Sequence, residues 1–275
     1  MSQLREPRGI AIQAGFSRLC STFQPDRVAF LHSGRVGSEL LGSLLQGCTQ
    51  VHWAGEFVNN LVHPLLDPPN DIGGRLAGRL KIPLDTALWY RGWRAGRRIQ
   101  VVKTKRLHFA AAGIDDVVEA SRVLDSAGMP RRIVLQRRNL LRSTVSWVRA
   151  LAFKKPHVYR IEDVPSEPVE LPLDAIPTRL GLLRIEDALA LREQDCEWID
   201  KVAGDQALRL VYEDDLQADP GRSTKKIAKY LGINPWTAVP TTVPTGAKSL
   251  NKLVTNHAEL FARLSGSRWE VMLFE

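Results

Sequence analysis

Short unbroken apolar runs alternate along this chain with longer stretches in which apolar residues recur every three or four positions. The first run, Val28-Ala29-Phe30-Leu31, lies between Pro25 and Gly34 and predicts a buried strand over 27–32. Leu40, Leu41, Leu44 and Leu45 follow at helical spacing and predict a helix over 38–45 with one buried stripe. The alternation then repeats. Strands are predicted at 99–102, 132–136 and 207–211, and helices at 114–127, 140–152, 185–202 and 220–231. Gly128-Met129-Pro130 stops one of these helices and Gly232 closes the last. Strands alternating with helices imply parallel βαβ units, hence a three-layer α/β/α domain around a central parallel sheet.

Two segments break the rhythm. Residues 64–98 are rich in Gly, Pro and Arg and bring Trp89, Tyr90 and Trp93 close together, while 153–183 carries several prolines. Both read as insertions, either lids and substrate walls or plain surface excursions. With a core over about 27–235 and a tail over 240–275, the 275 residues form a single domain.

Charge narrows the range of partners. The formal net charge is +8, which favours anionic ligands: nucleic acid, anionic lipid or a polyanionic small molecule. The basic residues fall in short clusters at 91–98, 103–106 and 131–142, each beside an apolar segment. Such placement suits strand ends that gather phosphates better than a continuous nucleic-acid footprint. Cys20, Cys48 and Cys196 lie far apart with no metal or disulfide spacing, as expected of reduced thiols in a cytoplasmic protein. Residues 1–23 hold no secretory apolar core, and no window is apolar enough to span a bilayer. The expectation is a soluble protein without a membrane span or a nucleic-acid partner, and a homodimer is compatible with it.

The chemistry concentrates where the first strand meets the first helix. Ser33-Gly34-Arg35-Val36-Gly37-Ser38 offers successive backbone N–H groups in a turn, at the positive end of a helix. Gly34 and Gly37 permit torsions and a close approach that a Cβ would obstruct. Arg35 adds a fixed charge and Ser38 a hydroxyl. The stretch is neither the nucleoside-triphosphatase loop GxxxxGK[ST] nor GxGxxG.

Arg35-Val36-Gly37-Ser38-Glu39-Leu40-Leu41 resembles the R-[ST]-G-S-[ST]-L-L loop of sulfotransferases that use 3′-phosphoadenosine-5′-phosphosulfate (PAPS). The likeness is nearest to the bacterial carbohydrate group, with its trehalose and Nod-factor enzymes. Val36 and Glu39 depart from the pattern, standing where small hydroxyl residues are usual. Ile133-Val134-Leu135-Gln136-Arg137-Arg138-Asn139 leads into Ser146-Trp147, similar to the family's strand-ending Arg and the Ser eight positions after it. A third stretch, Leu210-Val211-Tyr212-Glu213-Asp214-Asp215-Leu216 with Tyr230-Leu231-Gly232-Ile233, resembles V-x-Y-E-D-L…FLG and reads as mostly structural. Lys248-Ser249-Leu250 and Asn256…Glu259-Leu260 look like the tail that folds back near the nucleotide.

The resemblance implies a P-loop-NTPase-like sulfotransferase fold and transfer of the sulfuryl group of PAPS, leaving PAP. The acceptor would be a hydroxyl, or failing that an amine, on a small molecule or carbohydrate. It assigns the 5′-phosphosulfate to Ser33, Gly34, Arg35, Val36, Gly37, Ser38 and Glu39, and the 3′-phosphate to Arg138 and Ser146 with Lys248 beside them. No metal is required. For the proton acceptor it points to Glu56, in Gly55-Glu56-Phe57, with His108 as second choice and His52 also a candidate. Lys103 would support the bridging oxygen, with Lys105 and Arg106 less well placed. The rivals are a nucleotide kinase or phosphatase on the same kind of sheet, a basic nucleic-acid-binding module, and a pseudoenzyme that binds nucleotide without turnover.

Overall fold

A computed structural model of the chain describes residues 26–55, 98–154, 161–242 and 249–274. Strand β1 (Arg27–His32) is buried at every position and leads into helix α1 (Ser38–Gln46). Next come β2 (Val51–Gly55), β3 (Ile99–Thr104) and two helices, α2 (Arg106–Ala111) and α3 (Val117–Ser126). Strand β4 (Arg131–Gln136) precedes α4 (Leu140–Ala152). A short antiparallel hairpin, β5 (Ile176–Thr178) and β6 (Gly181–Leu183), separates it from the long α5 (Ile185–Ala203). Strand β7 (Leu208–Val211), a π-helical turn (Tyr212–Gln217), α6 (Pro220–Leu231) and α7 (His257–Leu264) complete the order.

The five long strands form one parallel sheet in the order β2-β3-β1-β4-β7, so the expected α/β architecture with a central parallel sheet is observed. Side chains alternate between its faces. Val28, Phe30, Ile133, Leu135 and Leu210 pack one face against Leu41, Leu44 and Leu45 of α1 and Ile227 of α6. Ala29, Leu31, Val102 and Val134 pack the other against Leu124 of α3 and Trp198, Ile199 and Val202 of α5. Strands buried on both sides read as continuous apolar runs, which is why the sequence announces them.

A third apolar cluster joins α4, the hairpin, the start of α5 and the C-terminal segment. The tail is fastened to it by backbone pairing: Val169 bridges Val254, and the Asn256 carboxamide accepts from the Leu171 N–H and donates to the Leu171 carbonyl. Among the described residues no helix is long and apolar enough to cross a membrane.

This strand order fixes where a ligand fits. From the end of β1 the chain turns through α1 toward β2, on one side of the sheet. From the end of β4, its neighbour, the chain moves off through α4 and α5 toward β7 on the other side. The connections diverge between β1 and β4, leaving a crevice beyond their carboxyl ends.

Candidate anion-binding site

Residues 33–37 bridge β1 and α1 in a tight left-handed path. Gly34, Arg35 and Gly37 all have positive φ (88°, 57° and 84°), so the backbone folds back over the end of β1. For Arg35, which carries a Cβ, such a torsion is uncommon and is held here by its surroundings. Gly37 admits no replacement: a Cβ would lie 2.5 Å from the Tyr212 ring. Gly37 is also the N-cap of α1, and no side chain caps that helix. Its first N–H groups therefore point, with the positive end of the dipole, into the crevice.

The Arg35 side chain crosses to α4, donating from Nε (3.1 Å) and Nη2 (2.9 Å) to the Ser146 Oγ. Ser143 Oγ donates to the Arg35 carbonyl at 3.3 Å from the same helix. Burial holds Arg35 below its ordinary pKa, the nearby Arg137 guanidinium pushes it down further, and Glu39 pulls it back up. Arg137 is itself buried, lies over the Tyr212 ring at 4.7 Å and has the Glu213 carboxylate 3.7 Å from its Nε.

Two further guanidiniums belong to this cluster. Arg142 is held below its usual pKa by burial, with Tyr212 and Glu213 opposing. Arg192, on α5, is pushed down to about 10 by burial; Asp195 and Cys196 oppose the shift, while Arg35 and Arg137 add to it. One turn further along α5, the Ser33 hydroxyl donates to the Cys196 sulfur, and the Gln136 carboxamide donates to the Cys196 carbonyl at 3.1 Å. Burial pushes the Cys196 thiol up. So α5 is stitched to the ends of β1 and β4, with Arg192 on the stitched face. Four arginines thus converge from the loop, the end of β4 and two helices, the arrangement that receives a polyanion.

The N-terminus of α4 is used differently. Glu213 accepts from the Arg138 and Asn139 N–H groups at 3.0 and 3.2 Å, and the Asn139 side chain caps Arg142 N–H at 2.8 Å. Asp215 accepts from Val211 N–H and pairs with Lys226. The Tyr-Glu-Asp-Asp stretch thus ties elements together, and it does so at the carboxyl end of the sheet, against the site.

The structure brings together some of the expected site residues and not others. Ser33, Gly34, Arg35, Gly37 and Ser38 share the loop with the buried Val36, and Ser146 meets Arg35 directly. Glu39 pairs with the buried Lys103 at the end of β3. Arg138 is half-exposed and pairs with Asp214 at 2.7 Å, whereas its neighbour Arg137 faces Arg35. His108 is fully buried, with Nδ1 at 3.2 Å from Thr104 Oγ1 and accepting from Lys105 N–H, so it caps the start of α2. Glu56 and Lys248 lie outside the described residues, as do Trp89, Tyr90 and Trp93.

Arg137, Arg142 and Arg192 escaped the sequence reading. Arg142 carried a signal, since it stands midway between Arg138 and Ser146 on one helical face. Arg192 carried none, because its helix read only as an apolar stripe. No group of three or more His, Cys, Asp or Glu among the described residues is arranged to hold a metal ion.

A scan against protein-family models finds no match, and neither does a search of curated proteins. Among solved structures, the chain is similar to a sulfotransferase from Alicyclobacillus acidocaldarius, with a TM-score of 0.49 and 13% sequence identity. The likeness covers 91% of this chain and 96% of that one.

Proposed function

We propose that this protein is a PAPS-dependent sulfotransferase that moves the sulfuryl group to a hydroxyl of a small-molecule or carbohydrate acceptor. The observation that carries the reading is the Arg35–Ser146 contact, which joins the glycine loop to the strand–helix signature on α4. The two sequence features that resemble the family thereby form one site, and the site is rich in guanidinium. A ligand with anionic groups at both ends of a nucleoside fits such an arrangement.

The residues present suit the chemistry. Sulfuryl transfer is an in-line displacement in which positioning and charge stabilisation dominate, as in phosphoryl transfer. The uncapped N–H groups of α1 and the Arg35 guanidinium are placed to hold the 5′-phosphosulfate and to stabilise negative charge as it gathers on the leaving phosphate. In this reading Arg137, Arg142 and Ser146 of α4 receive the 3′-phosphate. Arg138 can join them only by leaving Asp214. Lys103 reaches the same end of the sheet from β3. The resemblance assigns proton abstraction to Glu56.

The test is transfer of radiolabelled sulfate from PAPS to panels of sugars, phenols and amines. The expected result is acceptor-dependent labelling that Arg35→Ala lowers by roughly 100-fold or more, the size of loss that follows removal of one preorganised charge-stabilising donor from an enzyme site. Labelling that survives Arg35→Ala undiminished would place the chemistry elsewhere.

A further inference from the structure

Arg35 is the strained point of the anion loop, because it carries a Cβ and yet holds φ at 57°. A backbone in that region keeps its shape where contacts on both sides over-determine it. After Arg35, Ser143 Oγ donates to the Arg35 carbonyl, and the guanidinium reaches Ser146. Before Arg35, the holding group is His32.

His32 is the last residue of β1, paired in register with Leu135 of β4, and it is buried. Its ring stacks on Phe30 with centroids 5.7 Å apart and planes 18° from parallel. Phe30 in turn meets the Trp53 ring of β2 at 5.5 Å, so the imidazole rests on a row of rings that belongs to the sheet. From there its Nδ1 accepts the Gly34 N–H at 3.1 Å. This is the pattern of an Asx turn, in which a side-chain acceptor takes the N–H two residues on, with Nδ1 in place of the oxygen. A backbone N–H donates only to a nitrogen with a lone pair. Nδ1 is therefore unprotonated, and the neutral ring carries its proton on Nε2.

We propose that His32 is the positioning residue of the anion loop. Its Nδ1 pins Gly34 and thereby sets the Arg35 torsion, from which the guanidinium reaches Ser146 and an incoming phosphate. The proposal deepens the sulfotransferase reading above and rests on it for the identity of the ligand. It also redefines the part played by Gly34. The N–H of that residue is committed to His32, so the glycine serves the turn through its torsion. The backbone donors that face the ligand are those at the head of α1. A loop already held in its binding shape takes up an anion without a further ordering cost.

Two substitutions separate the acceptor from the ring. His32→Phe keeps a ring against Phe30 and removes the acceptor. His32→Asn removes the ring and keeps an acceptor bonded to Cγ, where Nδ1 stood. By calorimetry, His32→Phe should bind PAP roughly 10-fold more weakly than wild type, the scale of one hydrogen bond, and His32→Asn within about 3-fold of wild type. Ring packing alone would give the opposite order. A His32→Phe protein that binds PAP as tightly as His32→Asn, or more tightly, overturns the proposal. Nitrogen NMR of the wild-type protein at neutral pH decides the matter where a variant does not fold. His32 Nδ1 should show the shift of an unprotonated ring nitrogen, with a coupling to the Gly34 N–H across the hydrogen bond. A proton on Nδ1 overturns the proposal. Failure of the wild-type protein to bind PAP would contradict the sulfotransferase reading instead, and the NMR signature would still decide whether His32 holds the loop.

Discussion

Arg192 is a buried cation among other cations, and that position opposes folding. Burial, with some help from the neighbouring Arg35 and Arg137 guanidiniums, brings its pKa well below the ordinary arginine value, to about 10. A cation whose folded pKa is lowered destabilises the fold at every pH below that value, and the cost disappears only above the unfolded pKa. At neutral pH the penalty is on the order of 1–3 kcal/mol, because each tenfold loss of proton affinity corresponds to about 1.4 kcal/mol and the part-exposed position screens some of it. Arg192→Met should therefore raise the melting temperature of the nucleotide-free protein by a few degrees while reducing the further rise that PAP gives. Thermal unfolding with and without PAP reads both effects, and a lower melting temperature for the nucleotide-free variant would contradict this account. Arg137 and Arg138 make the same point about adjacency. They are neighbours in sequence, yet one is buried against Tyr212 and the other lies half-exposed on Asp214.

Among the elements, the end of β7 governs the start of α4. Glu213, in the π-helical turn after β7, accepts from two N–H groups at the head of α4 and lies beside Arg137. Glu213→Ala removes a capping carboxylate and should cost about 1–2 kcal/mol, seen as a lower urea midpoint with an unchanged slope. An unchanged midpoint would mean that Asn139 alone caps the helix. Much of this scale could be read from the sequence. Helix α4 and α6 begin and end where the apolar spacing and the Gly232 stop placed them, and α1 runs one residue beyond its predicted end. The β5–β6 hairpin could not be read, since Pro177 and Gly181 punctuate strands of three residues each. Helix α2 was hidden for another reason: the basic cluster after β3 masks its start, and His108, not an acid or a hydroxyl, caps it. Within the site, the loop was legible because glycines and arginine are visible in order. Arg192 was not, because only the tertiary packing of α5 on β1 and β4 brings it there.

For the whole molecule, the strand order β2-β3-β1-β4-β7 opens the crevice between β1 and β4, and the positive charge of the chain finds a focus there. Among the described residues other arginines are neutralised in ion pairs, such as Arg131 with Asp26, Arg209 with Asp200 and Arg263 with Glu186 and Asp174. That distribution suits a small polyanion held at one site. The central claim is that this site recognises a nucleotide by phosphates at both ends, and comparing PAP with AMP isolates the second phosphate. By calorimetry at fixed salt, PAP should bind at least roughly 100-fold more tightly than AMP, the difference expected when buried guanidiniums gain or lose a charged partner. Equal affinities for PAP and AMP would contradict it.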